Sequence, residues 1–206
     1  MKEQKPGIFE SVKNGLVESI SGTGDVVEAV VDTAASTAAG AIRATGRVGE
    51  AGASTIAHIA RGVIHGAREV GGDLGSAAKG TVIGVLRGTK HTGDEALETI
   101  RHTSGQVIKS TVEIGGDVGE AAKGSVEGAI HGARELSLSA EEAAAAAATG
   151  AIDAAGRVGA AAGGQVRDAL TGTISGVKVA AKEPFKHTDD TKHAKHTRTT
   201  KHGKHT

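Results

Sequence analysis

The chain has 206 residues, of which 32 are glycine and two are phenylalanine, with no Trp, Tyr or Cys. So few bulky side chains exclude a conventional aromatic-rich core, and the lack of cysteine excludes a disulfide scaffold or thiolate site and agrees with an intracellular protein. Formal charge sums to zero, but the last 21 residues hold five Lys and one Arg against two Asp, so a +4 tail follows a −4 body.

Residues 1–7, ending at Pro6-Gly7, form a short flank. The opening MKEQKPGIFESVKNGLVESI lacks the unbroken apolar stretch of a secretory signal, and no run of about 18 apolar residues occurs that could cross a bilayer. A soluble or peripherally bound cytoplasmic protein is expected.

From Ile8 to Glu183 the chain repeats itself. GDLGSAAKGTVIGVLRG (72–88) returns as GDVGEAAKGSVEGAIHG (116–132), GVIHGARE (62–69) as GAIHGARE (128–135), and GAIRATGRVG (40–49) as GAIDAAGRVG (150–159). The offsets of 44, 66 and 110 are all multiples of eleven, and 8–183 holds sixteen such units between Pro6 and Pro184. Eleven residues span three helical turns, so equivalent positions stay nearly in line along one helix. The predicted fold class is therefore all-α, built of long amphipathic helices.

In this phase one half of the wheel is apolar or small. It is led by Val63, Ile64, Val70, Leu74, Val85, Leu86, Val107, Ile108, Ile114, Val118, Ile130 and Leu136. A basic row edges that arc, with Arg68, Lys79, Lys90, Arg101, Lys123, Arg134, Arg167 and Lys178, whose stems can lie on apolar matter while the charges reach water. The other border carries glycines four apart, Gly80, Gly84 and Gly88 and again Gly124, Gly128 and Gly132, a spacing that lets another helix backbone approach closely. Glycine also weakens the helix by about 0.8 to 1 kcal/mol per residue relative to Ala, so an isolated helix here is marginal and needs a surface to bury its arc. Foldback hinges are expected at Gly71-Gly72-Asp73, Gly93-Asp94 and Gly115-Gly116-Asp117, and Ser139 with Glu142 reads as a capping box before Ala143–Ala148.

Catalytic patterns are weak. GTGDVV (22–27) lacks the third glycine of a nucleotide fingerprint, and no GxxxxGK[ST] occurs. His58, His65, His91, His102 and His131 fall on the polar arc, where solvated pairing with glutamates such as Glu69, Glu127 and Glu135 is expected; Ser54 before His58 implies no shaped pocket. Residues 184–206 form a Lys/His/Thr-rich tail, expected to be disordered. Its His187, His193, His196, His202 and His205 are candidate ligands for weak Zn, Ni or Cu binding, its cations for polyanions; no other cofactor and no small-molecule substrate is expected.

In-phase eleven-residue units with phrases such as AAKGSVEGA and AAKGTVIGV resemble the hendecad amphipathic proteins: late-embryogenesis-abundant group 3, the synucleins and apolipoprotein-like surface helices. That resemblance implies a chain partly disordered when free and helical on lipid, on a partner or on drying. Two non-enzymatic functions are thus expected. The first is association with an anionic lipid or membrane surface, or its protection under stress. The alternative is a self-assembling helical scaffold, a right-handed coiled coil or bundle, with another copy as partner.

Overall fold

The computed structural model describes residues 7–23, 25–45, 50–90 and 93–179, and they are all-α apart from one small hairpin. Eight helices follow in order: α1 (Ile8–Thr23), α2 (Val26–Thr45), α3 (Glu50–Glu69), α4 (Leu74–Thr89), α5 (Gly93–Glu113), α6 (Val118–Glu135), α7 (Ala140–Val158) and α8 (Ala160–Leu170).

Local chemistry sets their ends. The Asp73 carboxylate accepts the Ser76 amide at 2.6 Å and opens α4, Asp117 accepts from Gly119 and Glu120 to open α6, and Ser139 Oγ accepts the Glu142 amide at 3.2 Å to open α7. An oxygen at that position satisfies amides the first turn leaves without carbonyl partners. Before Asp73 and Asp117 the preceding helix closes on Gly71 (φ +69) and Gly115 (φ +65), with Gly72 and Gly116 donating back to Ala67 and Thr111. A left-handed residue is required there, and glycine adopts it without a Cβ penalty.

Each helix packs on the helix two places away, α1 on α3 on α5 on α7 and α2 on α4 on α6 on α8, while consecutive helices pack across these two layers. This is the stacked-pair arrangement of an α-solenoid. It gives the sequence offsets their meaning: 44, 66 and 110 are also multiples of 22, one helix plus its turn, so the 44-residue copy carries α4 onto α6. The core lies between and along the layers. It is made largely of Ala, Val and Ile, with Leu16, Ile59, Ile64, Leu86, Ile100, Ile108 and Ile130 the largest side chains fully enclosed. Several buried hydroxyls bond back along their own helices, Thr81 to the Ala77 carbonyl, Thr111 to Val107 and Ser125 to Ala121, which removes the penalty of enclosing them, while Ser104 Oγ is buried without a partner.

The helical run expected from Ile8 to Glu183 is interrupted after Leu170. After Leu170 the chain turns into β1 (Thr173–Ile174) and β2 (Val177–Lys178), an antiparallel pair whose turn residues Ser175 and Gly176 both have positive φ. β-branched residues flanking such a turn favour a hairpin, and Ile174 and Val177 are buried where it meets α6 and α7.

Candidate functional site

The apolar arc does not face outward in the folded chain. Val63, Ile64, Val85, Leu86, Val107, Ile108, Val118 and Ile130 are buried, while Val70, Leu74, Ile114 and Leu136 are half-buried at helix ends. The arc spans half the wheel because each inner helix has three apolar neighbours: the helix before it in its layer, the helix after it, and the opposite layer.

The glycine strips are the stacking contacts. Gly80 lies against Val30, and a Cβ on Gly84 would stand 2.6 Å from the Val31 carbonyl and on Gly88 2.6 Å from the Ala35 carbonyl, all on α2. On α6, a Cβ on Gly124 would overlap the Gly75 carbonyl of α4, Gly128 meets the Lys79 carbonyl, and Gly132 meets Leu86. The α1–α3 and α5–α7 contacts repeat this with Gly62 on Val12 and Gly150 on Arg101. Gly62, Gly80, Gly84 and Gly88 meet Val12, Val30, Ala34 and Ala38, 50 residues earlier, and Gly124, Gly128 and Gly150 meet Gly75, Lys79 and Arg101, 49 earlier; this is five or six more than the 44-residue repeat, so forward and backward contacts use roughly opposite sides of a helix.

The basic residues tie successive helices of a layer together. Lys13 reaches Glu69 at 3.3 Å, Arg61 reaches Glu113 at 3.1 Å, Lys79 reaches Glu127 at 3.9 Å, Arg87 reaches Glu135 at 2.6 Å and Arg101 reaches Asp153 at 4.0 Å. In every case the cation is on the earlier helix. Arg101 also binds Glu98 of its own helix, Arg68 donates to the Ile114 carbonyl, and Arg134 to the Ser175 carbonyl at 3.5 Å. Lys90 is an exposed left-handed cap of α4, Lys123 is exposed, Arg167 borders a cavity, and Lys178 sits on β2 rather than on a helix. The basic residues therefore do not form one continuous edge of a single helix, because the helices are stacked side by side. Lys13, Arg61 and Arg87, absent from that row, are ion-pairing residues the helical wheel missed; only the fold shows that their acids lie 56, 52 and 48 residues on.

One acidic contact crosses the same α4–α6 face. Asp73 and Glu120 share a hydrogen bond, which lowers Asp73 to about 2 and raises Glu120 to about 7, Glu120 being the partner that keeps the proton. Burial and the charges of Asp73 and Asp117 add to the rise at Glu120.

The histidines divide. His131 meets Glu135 at 3.4 Å, the pairing expected one turn apart, and His58 donates to the Ser54 carbonyl at 2.7 Å. His102 lies 3.4 Å from the Ala53 carbonyl of α3. His65 departs from the solvated placement expected of it. It stands edge-on to Phe9, ring centroids 5.6 Å apart, with Nε2 buried and unbonded, because α1 stacks over it. His91 and the five tail histidines lie outside the described residues. Among the described residues no group of three or more His, Asp or Glu could hold a metal ion, and no helix is long and apolar enough to cross a membrane.

A cavity of about 540 Å³ opens between α7 and α8, bordered by Ile152, Asp153, Gly156, Arg157, Ala160, Gly163, Gly164 and Arg167. Searches of protein-family models, curated proteins and solved structures find no match to this chain.

Proposed function

We propose that this chain is a non-enzymatic helical scaffold whose assembly takes place within the chain itself, each glycine strip receiving the backbone of the helix two places away. The observation that carries this reading is the closed register of small-residue contacts from Gly62 to Gly150, reinforced by five cation-to-acid ties of the same polarity. Of the two surfaces on which the lipid reading rests, the apolar arc is largely used for this stacking, and the basic border contributes Arg68, Lys79 and Arg101 to it. A scaffold of this kind binds partners through its ion-paired outer faces rather than through an exposed apolar stripe. Sedimentation of the full chain tests it. A single species of one chain's mass is expected at every loading concentration, unchanged by the mutation of exposed Lys123.

A second reading keeps the lipid surface as the partner. It is favoured by the core's small side chains and by helical glycines such as Gly15 and Gly40, which face open space and weaken α1 and α2 without improving packing. An array held this weakly can open at its N-terminal end and lay its arc on a membrane. Helix protection against amide exchange that falls in α1 and α2 on adding anionic vesicles, while α5 and α6 stay protected, would be its signature.

A further inference from the structure

We propose that the cavity between α7 and α8 binds the phosphoryl group of a small ligand between Arg157 and Arg167. The repeat supplies the comparison. Aligned at the 44-residue offset, the corner joining α3 to α4 carries Glu69, Asp73 and Lys79, and the corner joining α5 to α6 carries Glu113, Asp117, Glu120 and Lys123. The corner joining α7 to α8 has Arg157, Ala161, Gly164 and Arg167 at the positions of the latter four. Two acids against one lysine, then three against one, become two arginines with no acid between them.

These changes have no internal use. At the earlier corners Glu69 and Glu113 pair with Lys13 and Arg61, whereas Arg157 and Arg167 have no ion-pair partner among the described residues. The one acid bordering the cavity, Asp153, is engaged by Arg101 at 4.0 Å. Two helical glycines on the cavity's border, Gly156 and Gly164, have nothing within 4 Å of where a Cβ would stand, unlike the stacking glycines. Each weakens its helix and keeps the floor open. A volume of about 540 Å³ falls in the range of small-ligand sites, and two guanidinium forks call for more acceptor oxygens than one carboxylate offers, which a phosphoryl dianion supplies.

Calorimetric titration of the full chain with inorganic phosphate at pH 8, where the tail histidines are neutral, tests this. Saturable binding is expected. The double substitution Arg157→Gln and Arg167→Gln should weaken it by about tenfold or more, the scale of a lost charge-assisted contact. Restoring the acids of the previous corner with Ala161→Asp and Gly164→Glu should do the same, and Lys123→Gln should leave binding unchanged. Circular dichroism of each variant separates loss of the site from loss of the stack. Flotation with phosphatidylcholine vesicles, with and without phosphatidic acid, identifies the source: flotation lost with the two arginines names a lipid headgroup, and phosphate binding without flotation names a soluble phosphate ester. No saturable phosphate binding by the parent chain, or binding that folded arginine variants retain, overturns the proposal. So does an equal loss with Lys123→Gln, which would mark diffuse attraction to positive charge.

Discussion

The α4–α6 stacking face and the α7–α8 corner both depend on glycine, to opposite ends. Gly124 and Gly128 are pressed against the Gly75 and Lys79 carbonyls, where no other residue fits, while Gly156 and Gly164 border empty volume. The same residue type thus closes one surface and holds another open. A glycine's part in this chain is set by what a Cβ would meet, and spacing alone does not reveal it.

The largest effect expected is at the closed face and the core behind it. Ile64→Asp places an unpaired charge among fully buried side chains and should cost more than about 4 kcal/mol, enough to unfold the stack in urea titrations. Retention of a cooperative transition near the parent midpoint would contradict the closed arc. Gly128→Ala comes next. Its new methyl would stand 2.6 Å from a backbone carbonyl, and an overpacking cost of about 1 to 3 kcal/mol should outweigh the helix-propensity gain of at most about 1. Gly156→Ala should move the other way, stabilising by about 0.5 to 1 kcal/mol, because nothing opposes the methyl there. If both alanine variants shift the urea midpoint in the same direction, the distinction between the two glycine classes fails.

The smallest effect is electrostatic. Glu120 at about 7 lies above its ordinary 4.5, so its contribution is fully present below that ordinary value and is lost as pH rises through about 7. Asp73, lowered to about 2, contributes above its ordinary 3.8 and loses that only as pH falls through about 2. The pair should therefore stabilise the α4–α6 face most near pH 4 to 4.5, with a shallow decline to pH 7, since both groups are largely exposed to screening solvent. Glu120→Gln keeps a donor to Asp73 at every pH and should flatten that decline. An unchanged slope between pH 5 and 7 would place its origin elsewhere.

The all-α class and the caps at Asp73, Asp117 and Ser139 were readable in the sequence, because capping chemistry and apolar patterning are local. Which surface the arc meets was not. Helices stacked in two layers and a helix lying on lipid ask for the same apolar half-wheel, and what separates them is a pairing 49 or 50 residues away. The factor of 22 shared by the three offsets was the available signal, since it makes one helix and its turn the repeating unit. His65 looked solvated for a related reason: its covering residue, Phe9, belongs to another helix. The eleven-residue phase also ran on past Leu170, where the chain leaves the helix, passes Gly172 with its positive φ, and the β-branched residues pair instead across the turn at Ser175 and Gly176. The reversal of charge at the last corner was legible in the aligned repeats, but only the cavity gives it a location.

The central claim is that the apolar arc and glycine strips close on each other within one chain. Far-ultraviolet circular dichroism of the full chain, followed through a hundredfold dilution with and without anionic vesicles, tests it most directly. Strong helical ellipticity at every dilution, unchanged by vesicles, is the expected result. A coil spectrum in dilute buffer that turns helical on vesicles would contradict it, as would helicity that disappears on dilution.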